Sequence, residues 1–555
     1  MNRWAVPTPA AGIGSAIAVA LVVFGLYVLT MPTVLPASGD AMAQTQAALR
    51  QPTELNPHHL LVTPIDRVAL AIGHAAPGTP NNRRAFFPIQ ILNALAGAIA
   101  CGLFLLWLAR LGIPLLVALP YTLALAFTFV HWLHSREAET GILANLFLLL
   151  TVNLLPLATS RRLPIVFPAI SAVLAILCAL NTAALIPALG LMDSPDHERR
   201  GRQRMLATFL AATAVGALVA FLVLPWMSAG MTPGETIGRL TSHPGSARLA
   251  EHGQVSVSNA LRAGSGLINA FTGDTAVTTA LKARLQNRGA IPLPPGDWIR
   301  FGIGAFITLF LLLALLDPPH TGRERLLWLA AWAALVPTAI FNLLWLGSDP
   351  QFWLPILPFL GAWSAAWIVR GVRGRRQGSA PPATAIIVPT LVAVALAFCN
   401  WPLAVPTILY PKGGPDWQRA RTFAERAAPG DILLHNGGFG PYLQAISETK
   451  AVSLVYGLPA GKKAYEHALI ELIDDTVLRG GRVFALNVFG PATAVNTGGW
   501  EEIRAISGRG REEWIELLRA RYNFQPVTPS DPSDLWQITI RPRPELPPAE
   551  TEAKP

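Results

Sequence analysis

Two short motifs with charged side chains stand out in a chain that is otherwise strongly apolar. One contains Asp40, within Ser38-Gly39-Asp40-Ala41 after the first apolar run, and the other is Arg136-Glu137-Ala138-Glu139. Carboxylates take up protons and bind hydroxyls or metals, while guanidinium groups bind phosphate through paired hydrogen bonds. A charge close to a lipid bilayer must find water, a partner or a ligand. Both motifs are therefore candidates for a functional site.

Further polar residues lie in the predicted outer loops. They are, in chain order, Glu54, His58, His59, Arg83, Arg84 and Asp349. Each motif or residue also has a structural interpretation beside the functional one. Aspartates cap helices and turns, charged neighbours form ion pairs at the end of a span, and loop histidines are often simply hydrated.

The residue types that usually bind metals do not form a recognisable metal site. No aligned i, i+4 pair of the kind that binds zinc on a helix is found among His58, His59, His131 and His134. The three cysteines fall inside apolar runs and have no CxxC spacing. The sequence therefore assigns no residue to a metal and predicts no disulfide.

Lipid must be the environment of most of this chain. Of its 555 residues, 52% are hydrophobic and only 14% are charged, and the mean hydropathy is +0.42. A soluble protein of this composition would have too few polar side chains to cover its surface. Apolar stretches, most of them long enough to cross a bilayer, recur near residues 11–31, 86–109, 113–133, 138–158, 163–178, 181–192, 205–226, 299–316, 326–346, 352–370 and 384–401.

Arginines set the predicted topology of about eleven membrane-spanning helices within residues 1–401. When the short fifth and sixth stretches form a hairpin, one side of the membrane carries Arg161-Arg162, Arg199 to Arg204, Arg323-Glu324-Arg325 and Arg370 to Arg376. The positive-inside rule makes that side cytoplasmic, with the N-terminus inside and the C-terminus outside. The formal charge of +10 thus belongs to these loops and does not indicate nucleic-acid binding. Outer loops are expected at 32–85, 134–137, 227–297 and 347–351.

The sequence changes character after residue 401, and a soluble domain is predicted for residues 402–541. Short strands are expected at Asp431–His435, Gly481–Asn487 and Leu535–Ile540, with helical patterns at Asp416–Ala428 and Arg511–Tyr522. Strands that alternate with helices predict a small α/β domain. The Pro- and Glu-rich residues 542–555 are expected to be a disordered tail.

The order of these motifs resembles the GT-C superfamily of membrane glycosyltransferases, in particular its protein O-mannosyltransferase-like branch. The resemblance rests on Ser38-Gly39-Asp40-Ala41 after a short first span, on Asn56-Pro57-His58-His59-Leu60-Leu61, and on Arg136-Glu137-Ala138-Glu139. The stretch from Gly347 to Pro355 resembles that branch's late outer junction. These motifs cover mainly the first 192 residues and this junction.

The resemblance implies transfer of a sugar from a polyprenyl-phosphate carrier to an extracytoplasmic acceptor, which is a protein, a lipid or a glycan. Asp40 matches the family's first-loop acid and would act as general base on the acceptor hydroxyl, with inversion at the anomeric carbon. The donor and its phosphate would be bound by Arg136, Arg83, Arg84, His58 and His59. Substrates would be positioned by Glu137, Glu139, Glu54 and Asp349.

One departure from the family pattern concerns metals. The family's first motif often has a second acid beside the aspartate, whereas Ala41 follows Asp40 here. This difference argues against a paired-acid or metal-dependent mechanism. No cofactor is assigned, and a divalent metal is left open.

Two other classes of function remain alternatives. A transporter or flippase of lipid-linked intermediates would carry charges midway through several spans, whereas this chain concentrates them at the outer ends. In a noncatalytic membrane assembly protein, the loop acids would be structural only. The expected location is the plasma membrane, specifically a bacterial inner membrane, with the C-terminal domain in the periplasm.

Overall fold

A computed structural model describes most of the helical part of the chain and the framework of the C-terminal part. The described residues are 9–31, 45, 48, 59–73, 83–160, 162–191, 199–229, 232, 234, 256–273, 277, 280, 293–319, 322–344, 349–373, 383–404, 423–428, 430–435, 450–454, 458, 461–486, 488, 500, 503–504, 507–527 and 535–540. Asp40, Glu54, His58 and the predicted tail at 542–555 lie outside them. Contacts divide the chain into two compact units, a helical unit that ends at Pro411 and a C-terminal unit that begins at Lys412.

The first unit is built from α-helices, because a lipid environment requires each backbone polar group to be satisfied within its own segment. In chain order they are α1 (Pro9–Leu29), α2 (Val62–Ile72), α3 (Arg83–Arg110), α4 (Leu115–Phe127), α5 (Phe129–Arg136), α6 (Gly141–Thr159), α7 (Val166–Cys178), α8 (Ile186–Gly190), α9 (Arg199–Ala229), α10 (Val257–Thr272), α11 (Pro295–Leu316), α12 (Gly322–Leu344), α13 (Leu357–Arg373) and α14 (Ala383–Ala404). Two 3₁₀ helices join them, Leu180–Leu185 and Pro350–Ile356. We call the second one the outer 3₁₀ helix.

Every predicted apolar stretch is found as helix, but fewer than eleven are long enough to cross a membrane alone. Among the described residues, eight helices reach that length and apolarity, and a bent pair brings the number to nine. The predicted fifth and sixth spans are short apolar helices, separated by an extended residue, Ala179. The chain is a multi-pass membrane protein with a mainly helical fold.

The predicted third span is not one straight helix, which corrects the prediction. α4 and α5 meet at Thr128 with a bend of 64°. The Thr128 hydroxyl donates to the Leu125 carbonyl at 2.8 Å, and the Asn400 amide donates to the Phe127 carbonyl at 2.8 Å. At the break, these carbonyls lack their usual helical donors. The two side chains donate to them instead, so both carbonyls are hydrogen-bonded inside the membrane unit.

A single large apolar cluster runs through the helical unit and includes residues of α3, α4, α6, α11 and α13. Within the expected outer loop 227–297, residues Val257–Thr272 form α10, and its Leu267, Ala270 and Phe271 belong to this cluster. The amide of Asn400 also donates to the Phe271 carbonyl at 2.7 Å. α10 is thus packed into the helical unit.

The C-terminal unit contains a five-stranded mixed sheet within the described residues. Its elements are β1 (Ile432–His435), β2 (Lys450–Ser453), α15 (Lys462–Leu478), β3 (Val483–Leu486), α16 (Arg511–Arg521), β4 (Tyr522–Pro526) and β5 (Leu535–Ile540), and the strand order is β2-β1-β3-β5-β4. β1 pairs in parallel with β2 and β3, while β5 pairs antiparallel with β3 and β4. Sequence reasoning found β1, β3, β5 and α16, and it missed β2, β4 and α15.

Candidate functional site

The acidic segment Arg136-Glu137-Ala138-Glu139 is buried, and from Glu137 onward it forms a nonhelical connection between two helices. α5 continues to Arg136, so the predicted outer loop at 134–137 is mostly the last turn of a helix. Glu137 is the residue after that helix, and α6 begins only at Gly141. All four residues of the segment are buried, and Arg136 is 1% exposed. Charged groups this deep need partners inside the protein or on a ligand.

The side-chain amide of a residue on α3 binds the backbone of this connection. Asn93, which is fully buried, donates through Nδ2 to the Glu137 carbonyl at 2.7 Å and to the Glu139 carbonyl at 2.8 Å. Sequence reasoning missed Asn93. The available signal was an amide side chain within an apolar span, since polar residues inside spans are costly and usually have a role.

The end of α1 is fastened to α5 by three side chains of α5. Arg136 donates through Nη1 to the Thr30 carbonyl at 3.0 Å, and the Trp132 indole donates to the Thr30 hydroxyl at 3.0 Å. One turn earlier, the Tyr27 hydroxyl lies 3.0 Å from Nδ1 of His131. A guanidinium group at the C-terminal end of α1 also complements the helix dipole. The first outer loop, which carries Asp40, therefore begins at a rigidly held helix end.

His59 and His134 have different hydrogen-bonding and packing neighbours, although they lie close enough to interact electrostatically. Nδ1 of His59 donates to the Cys178 carbonyl at 2.8 Å, which ties the start of α2 to the end of α7. His134 is buried beside the start of α6, where a β-carbon built on Gly141 would lie 3.1 Å from its Nδ1. Among the described residues, no group of three or more His, Cys, Asp or Glu side chains is arranged to hold a metal ion. Asp40, Glu54 and His58 are outside that search, so the metal question at the first loop stays a prediction.

Asp349 caps the outer 3₁₀ helix. One carboxylate oxygen accepts from the Gln351 backbone amide at 3.0 Å, and the other accepts from the Gln351 side-chain amide at 2.9 Å. Leu354 of the same 3₁₀ helix reaches the start of α6, where the hypothetical Gly141 β-carbon would lie 3.2 Å from its Cδ2. The late outer junction and the α5–α6 connection are therefore packed together.

The remaining predicted site residues have less structural description. Arg83 and Arg84 form the start of α3, and their side chains are outside the described part of the chain, as are Asp40, Glu54 and His58 entirely. The described arrangement joins Arg136, Glu137 and Glu139 with the end of α1 and brings the outer 3₁₀ helix to the same end of α6. A cation and two carboxylates in a buried setting can bind a phosphate and orient hydroxyl groups.

Comparisons with known proteins rest on structure alone. No family model and no curated protein matches this sequence. The oligosaccharyltransferase of Archaeoglobus fulgidus in its apo form aligns with a TM-score of 0.52 and 11% identity, over 92% of this chain and 73% of that one. The archaeal oligosaccharyltransferase AglB of Archaeoglobus fulgidus, in complex with an inhibitory peptide and a dolichol-phosphate, aligns with a TM-score of 0.51 and 10% identity, over 96% of this chain and 75% of that one.

A third similar structure is ArnT from Cupriavidus metallidurans in the apo state. Its TM-score is 0.46 at 14% identity, over 85% of this chain and 92% of that one. This TM-score is too low to support an argument. At 10–11% identity, the two oligosaccharyltransferase structures establish the fold alone. The chain therefore has a polytopic, mainly helical membrane fold similar to that of these oligosaccharyltransferase structures.

Proposed function

We propose that this chain is a membrane glycosyltransferase that moves a sugar from a polyprenyl-phosphate donor to an extracytoplasmic acceptor. The acceptor class is a protein hydroxyl, a lipid or a glycan, and the protein O-mannosyltransferase-like branch remains the proposed relation. The site is proposed to face the periplasm of a bacterial inner membrane. The bilayer, the lipid-linked donor and the acceptor are the proposed partners.

The observation that carries the proposal is the hydrogen bond of 3.0 Å between Arg136 Nη1 and the Thr30 carbonyl. It joins the acidic segment after α5 to the helix end from which the Asp40 loop departs, within a fold shared with an oligosaccharyltransferase. The donor of such an enzyme presents its reacting carbon at the membrane surface, so the chemistry must lie in loops and span ends. A transporter or flippase would instead need polar groups along a path through the membrane.

The proposed reaction is a direct displacement at the anomeric carbon. The acceptor oxygen forms the new bond to that carbon while the bond to the phosphate oxygen breaks, which inverts the configuration. Asp40 takes the proton of the acceptor hydroxyl as general base. The leaving lipid phosphate is already stable as an anion, so it requires positive charge rather than an acid, and Arg136 with Arg83 or Arg84 supplies it.

The other predicted residues have supporting roles in this proposal. His58 and His59 contact the phosphate or the acceptor, and the remaining acids, Glu54, Glu137, Glu139 and Asp349, orient substrate hydroxyls. We expect chelation of divalent metals to leave turnover intact, because Ala41 replaces the second acid of the family motif. Loss of turnover with EDTA and recovery with Mg²⁺ or Mn²⁺ would instead establish a metal-dependent mechanism.

The decisive experiment uses the purified full-length protein with a panel of polyprenyl-phosphate sugars and acceptors. Release of the lipid phosphate is the readout, and donor binding is measured in parallel. We expect Asp40→Asn to reduce turnover by at least about 100-fold, the scale of losing a general base, while it still binds the donor. Asp196→Asn, in a predicted cytoplasmic loop, is the matched control and should turn over normally. Full activity of Asp40→Asn would show that Asp40 is not the general base. Inactivity of the wild type with every donor would reject the transferase function.

A further inference from the structure

One face of α3 is shaped to receive α5 and the acidic segment that follows it. Residues four apart on a helix lie on the same face, and Ile89, Asn93, Gly97 and Cys101 form such a row. Each member of the row lies next to a different part of the chain between His131 and Glu139. This row is called the α3 stripe below.

The contacts of the α3 stripe follow the direction of α5. Cys101 Sγ lies 3.9 Å from Nε2 of His131. A β-carbon on Gly97 would lie 2.0 Å from the Ser135 hydroxyl oxygen, so glycine permits the close approach of the two helices. At the other end of the stripe, Ile89 and Ala138 belong to one buried apolar cluster.

Asn93 occupies the position in the stripe where the chain leaves α5 and has not yet begun α6. Both hydrogens of its amide are engaged, one by the Glu137 carbonyl at 2.7 Å and one by the Glu139 carbonyl at 2.8 Å. At a break between two helices, carbonyls need partners from elsewhere. Because the Asn93 amide binds one carbonyl before Ala138 and one after it, it fixes the backbone direction at both glutamates. The point at which each glutamate side chain leaves the backbone is thereby fixed, and with it the region that each carboxylate can reach.

We infer that Asn93 is a positioning residue for Glu137 and Glu139, which it holds in place to orient substrate hydroxyls for the reaction. This inference rests on the proposed function, because it assigns the effect of Asn93 to those two carboxylates. Asn93 makes no contact with substrate itself. Its amide aligns the acidic segment, and a displacement of the order of 1 Å in such a segment costs about 100-fold in rate.

The test is a double-mutant cycle on kcat, measured with the full-length protein. Asn93→Leu keeps the side-chain volume and removes both donors, and we expect kcat to fall about 100-fold with the donor dissociation constant unchanged. In a background of Glu137→Gln with Glu139→Gln, the same change should lower kcat by less than about 2-fold further, because its effect acts through those side chains. A purely structural role would give losses that multiply.

Asn153 provides a matched control. It is a buried asparagine on α6, and its Nδ2 donates to the carbonyls of Leu103 at 3.0 Å and Leu149 at 2.9 Å. Asn153→Leu therefore removes the same two kinds of donation to backbone carbonyls, and in addition the bond that Asn153 Oδ1 accepts from Arg110 Nη1 at 3.1 Å. We expect it to lower the unfolding temperature at least as much as Asn93→Leu while kcat changes by less than about 3-fold, since the site is distant.

Hydrogen–deuterium exchange of residues 137–141 gives a readout that does not depend on activity. Exchange there should rise in Asn93→Leu and stay at the wild-type level in Asn153→Leu. If Asn93→Leu does not fold, Asn93→Ser, which keeps one donor, serves in the same cycle. Unchanged kcat, multiplicative losses or unchanged exchange would overturn the inference while the wild type remains active. An inactive wild type with raised exchange in Asn93→Leu would reject the proposed function and leave the contact itself in place.

Discussion

At the scale of single residues, several polar side chains of the membrane unit bind backbone carbonyls of other helices. Arg136 binds the Thr30 carbonyl, Asn93 binds those of Glu137 and Glu139, and Asn400 binds those of Phe127 and Phe271. These carbonyls lie at or near helix ends, where the helical ladder leaves acceptors without partners. Buried polar groups of this kind fix helix ends more sharply than apolar packing does.

Asp349 permits a test that separates capping from substrate positioning. Asp349→Ala removes the cap of the outer 3₁₀ helix and should lower stability by about 1 kcal/mol. Asp349→Ser keeps a capping oxygen, so we expect it to restore the unfolding temperature but not turnover, because the carboxylate is still missing. Thermal unfolding and lipid-phosphate release measure the two effects. Full turnover of Asp349→Ser would assign Asp349 to capping alone.

Asp431 in the C-terminal unit predicts a dependence of stability on pH. Its carboxylate accepts from the backbone amides of Ala428 and Arg482, each at 2.7 Å, and from Arg482 Nη2 at 2.7 Å. Burial raises the pKa of this carboxyl, but the hydrogen bonds from Arg482 and from the two backbone amides outweigh burial, so the pKa lies below its ordinary value. The carboxylate therefore stabilises the fold above the unfolded-state pKa of about 4, and this contribution is lost as pH falls through the lowered pKa.

Replacement of Asp431 should remove this pH dependence. We expect Asp431→Asn to destabilise the C-terminal sheet by about 1.5–3 kcal/mol at neutral pH, since the lost hydrogen bonds involve a charged group. Between about pH 5 and pH 3 the variant should lose less stability than the wild type. Protection of the β1 amides from hydrogen–deuterium exchange, corrected for intrinsic exchange rates, measures both the loss at neutral pH and the change with pH. Asp475→Asn, which removes an exposed i, i+4 pair with Arg479, should change stability by less than about 0.5 kcal/mol, and an equal effect of the two variants would contradict the prediction.

At the scale of elements, the bend between α4 and α5 decides what the α5 side chains can reach. A straight helix would keep α5 in line with α4, whereas the 64° bend at Thr128 redirects it. His131, Trp132 and Arg136 then meet α1, while Ser135 meets α3. The bend between α4 and α5, rather than a loop, therefore brings the acidic segment to the end of α1.

Close packing of α3 against α5 predicts a strong effect of a single methyl group. Gly97→Ala places a β-carbon 2.0 Å from the Ser135 oxygen and 2.8 Å from its β-carbon, so one helix must shift. We expect a loss of about 1–3 kcal/mol, typical of overpacking. Gly25→Ala in α1, where nothing lies within 4 Å, should be neutral or slightly stabilising. Thermal unfolding in detergent compares the two, and equal stability of both variants would show that α3 and α5 do not pack this closely.

At the scale of the whole molecule, a multi-pass helical unit is followed by a unit built on a mixed sheet. The two units differ in where their apolar side chains lie. The helical unit presents many apolar side chains at its surface, among them Leu21, Val219, Leu313 and Phe398, which suits contact with lipid. The sheet unit instead buries an apolar core between strands and helices, including Tyr465, Trp514 and Ile538, as soluble domains do.

The proposed orientation is testable by labelling from outside the cell. The three native cysteines are buried, so background labelling should be low. We expect Ser530→Cys, in the C-terminal unit, to react with an impermeant maleimide in spheroplasts. Ser194→Cys and Ser379→Cys, in the predicted cytoplasmic loops, should react only after lysis. The reverse pattern would invert the topology and place the acidic segment on the cytoplasmic side.

Residue types and periodicity predicted the apolar helices and the buried strands, but not the partly exposed strands or the assembly of the elements. The apolar stretches predicted every helix that approaches span length, since lipid leaves only one local solution for an apolar segment. They did not predict the break at Thr128, where the Phe127 carbonyl is bound by Asn400, a residue 273 positions away. In the sheet unit, β1 and β3 are buried on both faces and read as apolar runs, whereas β2 and β4 are partly exposed and carry weaker patterns.

The sequence by itself determined that lipid surrounds most of this chain, that helices cross it, and that a small α/β unit follows, since all three depend on local composition. Only the tertiary structure decided which polar groups meet. Arg136 and Thr30 are 106 positions apart, and Asn93 and Glu137 are 44 apart. Hydrogen bonds over such separations arise from how helices pack and bend, and no local pattern encodes them.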